Sequence, residues 1–331
     1  MWNNLISRLQ TNISLMGKIL VIGAGGQLGT ELTKVLADRY GNEAIIATDF
    51  QEAVRPKFNY CSFYILNVLN KTELEAIIKT EGVSQIYHLA AILSAAGEKN
   101  PLQAWDLNMG GLLNVLEVAR EYKIEKVFWP SSIAVFGPHS EKDQTPQNAF
   151  KDPNTIYGIS KLAGEHWCEY YFNKYGVDVR SIRYPGLIGY KSMPGGGTTD
   201  YAVDIYHKAL KGEKFSCFLN EHTYLPMMYM DDAINATLQL MDAPKEKITI
   251  RTSYNISGLS FSPAEIYQSI VKHYPNFEIK YQSDFRQAIA DSWPNSIDDS
   301  AAKADWDWHP KFDLEAMTSA IITNLPKYFN Y

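Results

Sequence analysis

The sequence is short of the residues that several protein classes require. Only three cysteines occur in 331 residues, Cys61, Cys168 and Cys217, too few and too far apart for a disulfide framework or a zinc knuckle. His166 and Cys168 lie close together, but nothing nearby completes a ligand set, so no metal is expected. Basic residues are not in excess: 31 Lys and Arg stand against 37 Asp and Glu, for a formal charge of −6. They are scattered rather than striped, which excludes a nucleic-acid surface and reads as a solvated exterior. No apolar run reaches the roughly 18 residues that a membrane span needs. Polar residues near the start break any secretory signal, and the sparse cysteines fit a reducing compartment, so a cytoplasmic location is expected.

Residues 1–16 read as an N-terminal extension. Trp2, Leu5, Ile6, Leu9 and Ile13 would share one helical face, with Arg8 and no acid in that stretch. A transit peptide usually carries several arginines. The simpler reading is an upstream start codon, because Met16-Gly17-Lys18 leads straight into the first strand.

What the chain does have is a rhythm. Short β-branched runs alternate with helical patterns, as in an α/β fold with a Rossmann-type, doubly wound parallel sheet. Strands are expected at Ile19–Ile22, Ala44–Thr48, Phe63–Leu66, Gln85–Leu89, Lys126–Trp129 and Val177–Ile182. Helices are expected from Leu28 onward, over Lys71–Thr80, Pro101–Tyr122 and Thr155–Tyr175. After Tyr184 the elements shorten and mix, and Pro194-Gly195-Gly196-Gly197 forms a glycine loop. No internal repeat or low-complexity tract occurs.

Gly23-Ala24-Gly25-Gly26-Gln27-Leu28-Gly29 sits between the first strand and its helix. Glycines there permit a tight turn and let backbone N–H groups approach a pyrophosphate at a helix N-terminus. Twenty residues after Gly29, Asp49 closes the second strand. Its carboxylate suits an adenosine ribose and would repel a 2′-phosphate, so NAD is expected over NADP. A purely structural turn is the alternative.

Tyr-x-x-x-Lys occurs three times, as Tyr122/Lys126, Tyr157/Lys161 and Tyr170/Lys174. In an open parallel sheet, ligands bind beyond the carboxyl ends of the strands, where the next helices begin. Tyr122 ends a helix at the opposite edge, and Tyr170 lies far down the helix that Tyr157 starts, so only Tyr157 is suitably placed. Lys161 falls one turn away on the same face and is expected to lower the phenol's pKa, making Tyr157 a base near neutral pH. Ser132 can bond the same substrate oxygen. Asn108 can anchor backbone or water behind the site, or simply satisfy a buried polar group within its helix.

Together these residues resemble the extended short-chain dehydrogenase/reductase superfamily, over nearly the whole chain from Gly17. Longer strings are more specific. Ser131 through Gly137 (S-S-I-A-V-F-G), Tyr157 through Lys161 (Y-G-I-S-K) and Arg183 through Ile188 (R-Y-P-G-L-I) look like the short-chain type of L-threonine 3-dehydrogenases. So do Pro194 through Tyr201 (P-G-G-G-T-T-D-Y), Met227 through Asp232 and Asp291 through Pro294. Asn67 departs from the pattern, standing where many relatives carry an aspartate near the adenine.

The resemblance implies NAD-dependent oxidation of L-threonine at C3 to 2-amino-3-oxobutyrate, on the way to glycine or aminoacetone. It implies Ser132, Tyr157 and Lys161 as catalytic. It implies a cofactor site of Gly23, Gly26, Gln27, Leu28, Gly29, Asp49, Asn67, Leu89, Ala90, Ala91, Asn108, Tyr157, Lys161, Tyr184 and Leu187. For the substrate it implies Ser94, Ser132, Tyr157, Gly186, Thr198, Thr199 and Asp200; the local pattern of Thr and Asp before Ala202, Ile205 and Leu210 offers Thr198–Asp200 as a helix N-cap instead, and the two roles can coexist. Residues 17–184 would then bind NAD and carry the Ser/Tyr/Lys set. Residues 185–331 would mainly bind substrate, with some segments returning to the first domain, and the protein would form a homodimer through the Pro101–Tyr122 and Thr155–Tyr175 helices. Two alternatives share the fold: a sugar-nucleotide epimerase or dehydratase, whose kin usually carry Asn at the place of Gly186, and a non-catalytic NAD-sensing regulator.

Overall fold

The computed structural model describes residues 17–195 and 197–329. The N-terminal extension and Gly196, both singled out above, lie outside them. The chain opens with β1 (Lys18–Ile22), α1 (Gln27–Tyr40), β2 (Ile45–Asp49), β3 (Ser62–Ile65), α2 (Lys71–Glu81) and β4 (Val83–His88). Two short helices follow, α3 (Ser94–Gly97) and α4 (Pro101–Trp105), then a π-helical turn at Asp106–Gly110. Next come α5 (Gly111–Glu121), β5 (Lys126–Ser132), α6 (Ile156–Tyr175), β6 (Val179–Tyr184) and β7 (Gly186–Ile188). The chain continues through α7 (Tyr201–Leu210), β8 (Phe215–Cys217), β9 (Leu225–Tyr229), α8 (Met230–Asp242), β10 (Tyr254–Asn255) and β11 (Leu259–Phe261). It ends with α9 (Pro263–Val271), β12 (Ile279–Tyr281), α10 (Arg286–Ser292), α11 (Ser300–Trp306) and α12 (Leu314–Phe329).

Seven strands form a parallel sheet in the order β10-β6-β5-β4-β1-β2-β3. β1 pairs with β2 on one side and β4 on the other, Leu20 lying opposite both Ile46 and Ile86. The direction of winding therefore reverses at β1, which makes this the expected doubly wound Rossmann-type sheet and places its ligand crevice beyond the ends of β1 and β4. β10 adds Tyr254 and Asn255 to the far edge, opposite Ile182 and Arg183. Two small sheets stand apart from it: β11-β9-β7 and β12-β8.

The chain divides into two compact units, each built from separated stretches. One contains the chain up to Ala91, Asp106–Trp129 and Trp167–Arg180. Its core joins Leu20, Ile22, Ile46 and Ile86 from the strands to Leu112, Val115, Leu116 and Ala119, the apolar stripe of α5 at helical spacing. The other contains Ile92–Trp105, Pro130–His166 and the chain from Ser181 onward. Tyr201, Ala202, Ile205 and Tyr206 of α7 pack there with Ile133–Phe136, Met227, Ile266 and Ile321. α9 starts where Ser262 and Glu265 form a reciprocal capping box with Pro263 at the first turn.

The expected strands differ from those found by one to three residues at an end, with two informative exceptions inside the elements. The single helix expected over Pro101–Tyr122 is broken by the π-helical turn that contains Asn108. Gly110 and Gly111 press the backbone there against residues 68 and 69: an added methyl would lie 2.9 Å from Leu69 and 2.8 Å from Val68. β5 runs on through Pro130 to Ser132 rather than stopping at Trp129. Its pairing with β4 ends at Tyr87 and Phe128, so the N–H that Pro130 lacks is not needed on that side.

Candidate active site

In the first unit, the turn after β1 is shaped by contacts that only glycine tolerates. Gly23 has φ +80°, and a methyl on it would lie 2.6 Å from the Ala90 nitrogen. A methyl on Gly29 would lie 2.5 Å from the Gly23 carbonyl oxygen, so the first turn of α1 rests directly on the loop. Gly26 differs: it is exposed, and an added methyl would meet nothing closer than 3.5 Å. Gly26 also caps α1 without any side-chain bond, so the N–H groups of Gln27, Leu28 and Gly29 open the helix with no capping side chain over them. An open, N–H-lined step of this kind can accept an anion.

Asp49 is buried at the end of β2, accepting from the N–H of Gly25 (2.9 Å) and of Gln51 (3.0 Å). A carboxylate has lone pairs beyond these two, so it can still accept from a ribose. Gly25, part of the glycine string but given no role of its own, is equally constrained: a methyl there would lie 2.8 Å from the Asp49 carboxylate. The G-x-G spacing carried that signal. Leu89, Ala90 and Ala91 follow β4 beside the turn, the Leu89 N–H donating to Ile22 O at 2.8 Å. Asn67 is exposed, and its side-chain oxygen accepts from Leu69 N at 3.1 Å. Asn108 is buried within the π-helical turn, a deformation that recurs at functional sites.

The second unit holds Ser132, Tyr157 and Lys161 together. Ser132 and Tyr157 are partly accessible, the Ser132 hydroxyl being near enough to act on the phenol, and Ser132 Oγ accepts from Ala134 N at 3.2 Å. Lys161 is buried and donates to Pro130 O at 2.6 Å, its ammonium 5.5 Å from the centre of the Tyr157 ring. The expected lowering of the Tyr157 pKa is not what this arrangement produces. Burial of the phenol group pushes it up to about 12, and the Ser132 hydroxyl pulls the other way without prevailing. The lysine is engaged with backbone rather than with the phenol oxygen. Gly158, quoted above only as part of a motif, brings the start of α6 so close to the preceding loop that a methyl would strike the Ala134 carbonyl.

The same unit gathers the expected substrate residues. Ser94 Oγ and Thr198 Oγ1 lie 3.2 Å apart, both buried. Asp200 does not cap α7 with its side chain; its carboxylate turns back to accept from Gly197 N at 2.8 Å and so closes the glycine loop. Gly186, on β7, faces Met227, and a methyl on it would meet the Met227 sulfur and lie 2.7 Å from Thr199 Cβ. Leu187 follows on the same strand, opposite Met228. Tyr184 turns its hydroxyl towards Thr237 and the Ala233 carbonyl of α8, so backbone is what it can offer a cofactor. Among the described residues no three His, Cys, Asp or Glu side chains converge as metal ligands, and no helix is long and apolar enough to cross a membrane.

The glycine turn after β1, and Ser132, Tyr157 and Lys161 gathered where β5 ends and α6 begins, fit the class that the comparisons show, an NAD-dependent oxidoreductase of the extended short-chain type. Residues 19–257 match the model of the NAD dependent epimerase/dehydratase family. The chain belongs to this family, and its cofactor is NAD. Among solved structures it is similar to an L-threonine dehydrogenase of Cupriavidus necator in its holo form, at 53% identity and TM-score 0.91, over 93% of this chain and 99% of the other. A monomeric L-threonine 3-dehydrogenase from a metagenome, in its apo form, is 51% identical with TM-score 0.90 over the same shares. An uncharacterized epimerase/dehydratase of Staphylococcus haemolyticus is 48% identical over 309 residues, 93% of this chain and 97% of that relative.

Proposed function

We propose that this protein oxidises L-threonine at C3 to 2-amino-3-oxobutyrate. The observation that carries this reading is the gathering of Ser132, Tyr157 and Lys161 in one unit, with the Ser132 and Tyr157 side chains partly accessible and the Lys161 ammonium 5.5 Å from the Tyr157 ring centre. A secondary alcohol placed between them meets a donor and a base on one oxygen. Similarity to L-threonine dehydrogenases at 53% and 51% identity supports the choice of substrate.

Tyr157 takes the C3 hydroxyl proton as the C3–H bond yields its hydride, and the carbonyl forms. NAD, when bound, supplies the hydride acceptor. Ser132 holds the oxygen through the change, and Lys161 stands beside the phenol to favour its anion once it leaves the Pro130 carbonyl. Ser94, Thr198 and Thr199 offer hydroxyls to the substrate carboxylate, and Asp200 offers an anion to its ammonium. Gly23, Gly26, Gln27, Leu28, Gly29, Asp49, Asn67, Leu89–Ala91, Asn108, Tyr184 and Leu187 are assigned to the cofactor. In this reading residues 17–184 carry cofactor and catalytic groups, 185–331 mainly the substrate, and β10 is a segment that returns to the large sheet.

The test is NADH formation from L-threonine and NAD⁺, beside NADP⁺, L-allo-threonine, L-serine and UDP-galactose. A rate confined largely to L-threonine with NAD⁺ is expected, and Tyr157→Phe should lower kcat by about 10²–10⁴-fold with little effect on NAD⁺ binding. Turnover of UDP-galactose would move the protein to the sugar-nucleotide branch of its family. The reading includes a cytoplasmic location and a homodimer through α4, α5 and α6, with Leu102 exposed on α4 and Ile159 on α6. The monomeric relative argues the other way, and sedimentation equilibrium decides.

A further inference from the structure

Glu165 and Arg183 form a buried ion pair that the chemistry above does not use. Glu165 follows Lys161 by one helical turn and Tyr157 by two, so the three share one face of α6. Arg183 lies near the end of β6. Its Nε and Nη2 donate to the two oxygens of Glu165, each at 2.8 Å, with both side chains 1% exposed. Its Nη1 donates to Gln147 O (2.9 Å) and Asn255 Oδ1 (3.0 Å), and its guanidinium carbon lies 5.4 Å from the centre of the Phe136 ring. Phe136 and Gln147 both belong to the loop that joins Ser132 to Tyr157.

The carboxylate has one more partner. Ser131 Oγ donates to Glu165 Oε1 at 2.6 Å. Two successive residues of β5, immediately before Ser132, are thus tied to α6: Pro130 receives Lys161 and Ser131 reaches Glu165. A buried ion pair is a poor source of stability, because desolvation offsets its attraction and apolar replacements often do as well. What a bidentate guanidinium–carboxylate fork does supply is fixed direction.

We propose that Glu165, clamped by Arg183, is a positioning residue that acts through Ser131 to set Ser132 against the Tyr157–Lys161 face of α6. This rests on the assignment of Tyr157 as the base. The ion pair sets the carboxylate, the carboxylate sets the Ser131 hydroxyl, and the backbone between residues 130 and 132 follows.

The experiment uses Ser131→Ala, which leaves the ion pair in place, with Ser131→Thr as the conservative variant and Tyr157→Phe alongside. Ser131→Ala is expected to lower kcat for L-threonine about tenfold, the scale of one hydrogen bond to a charged group, with both KM values within about twofold. The acid limb of its pH–rate profile should move to higher pH, Ser131→Thr should recover most of kcat, and amide exchange in the peptide covering residues 131–137 should quicken. A wild-type kcat and pH limb in Ser131→Ala, whatever happens to Tm, would overturn the positioning role and leave the pair as core packing. Unchanged amide exchange in that peptide would overturn it without recourse to turnover. Full activity in Tyr157→Phe would instead overturn the assignment of the base, so the two failures are separable.

Discussion

A phenol at about 12 is a weak starting point for a base that works near neutrality. The direction of that shift matters more than its size: burial raises it, the Ser132 hydroxyl lowers it, and Lys161 spends its proton on a carbonyl. In the free enzyme the neutral phenol therefore dominates at neutral pH, and the reactive phenolate grows tenfold with each pH unit. We expect kcat/KM for L-threonine, measured at low NAD⁺, to rise with unit slope and to be still climbing at about pH 9. A plateau near neutrality would show that Lys161 already governs the phenol before cofactor arrives. Spacing alone made Lys161 a neighbour of Tyr157 and said nothing of the Pro130 carbonyl that competes for it. The place of Asp49 at the end of β2, by contrast, was legible from the strand pattern; only its bond to Gly25 had to be seen.

At the scale of elements, strands buried on both faces announce themselves as short apolar runs, and all six expected in the first half are present within three residues at each end. Local pattern failed where a glycine lets the backbone press against a neighbouring segment. The π-helical turn at Asp106–Gly110 answers to crowding by residues 68 and 69, and no helical periodicity carries that information. The same holds at the N-terminal end of α6, where Gly158 sits against the Ala134 carbonyl. We expect Gly158→Ala to push the helix off this loop, at about 1–3 kcal/mol of overpacking, and to separate Tyr157 from Ser132. The prediction is a kcat at least about tenfold lower, with Tm reduced by a few degrees; wild-type kinetics would mean that the loop gives way freely. The Asp200 loop teaches a similar lesson. Thr and Asp before a helical stretch suggest a cap, but the carboxylate instead closes the turn onto Gly197.

Across the whole molecule, the aromatic content sets an alkaline limit. Burial raises the phenols of Tyr157, Tyr254 and Tyr281 to about 12, and those of Tyr184, Tyr201 and Tyr206 further still. The folded state favours the neutral phenol, whereas the unfolded chain ionises near the ordinary value of about 10. Stability from these groups is thus full below about pH 10 and is lost as pH rises from there towards 12. Thermal melting should be nearly flat from about pH 8 to 9.5 and fall steeply above about pH 10.5. A flat profile to about pH 11 would mean that these phenols reach solvent more easily than their packing shows.

The interleaving of the two units along the chain bears on how the protein is made. The stretch Pro130–His166 carries Ser132, Tyr157 and Lys161, yet it packs in one unit with residues from Ser181 to the end. Asn255, which completes the grip on Arg183, emerges from the ribosome some hundred residues after Tyr157. Chain-distant closures of this kind are slow to form and leave apolar surface waiting. The reacting groups therefore acquire their geometry late, during or after release of the chain, and a nascent protein that binds NAD early would still be catalytically silent until its C-terminal half has folded.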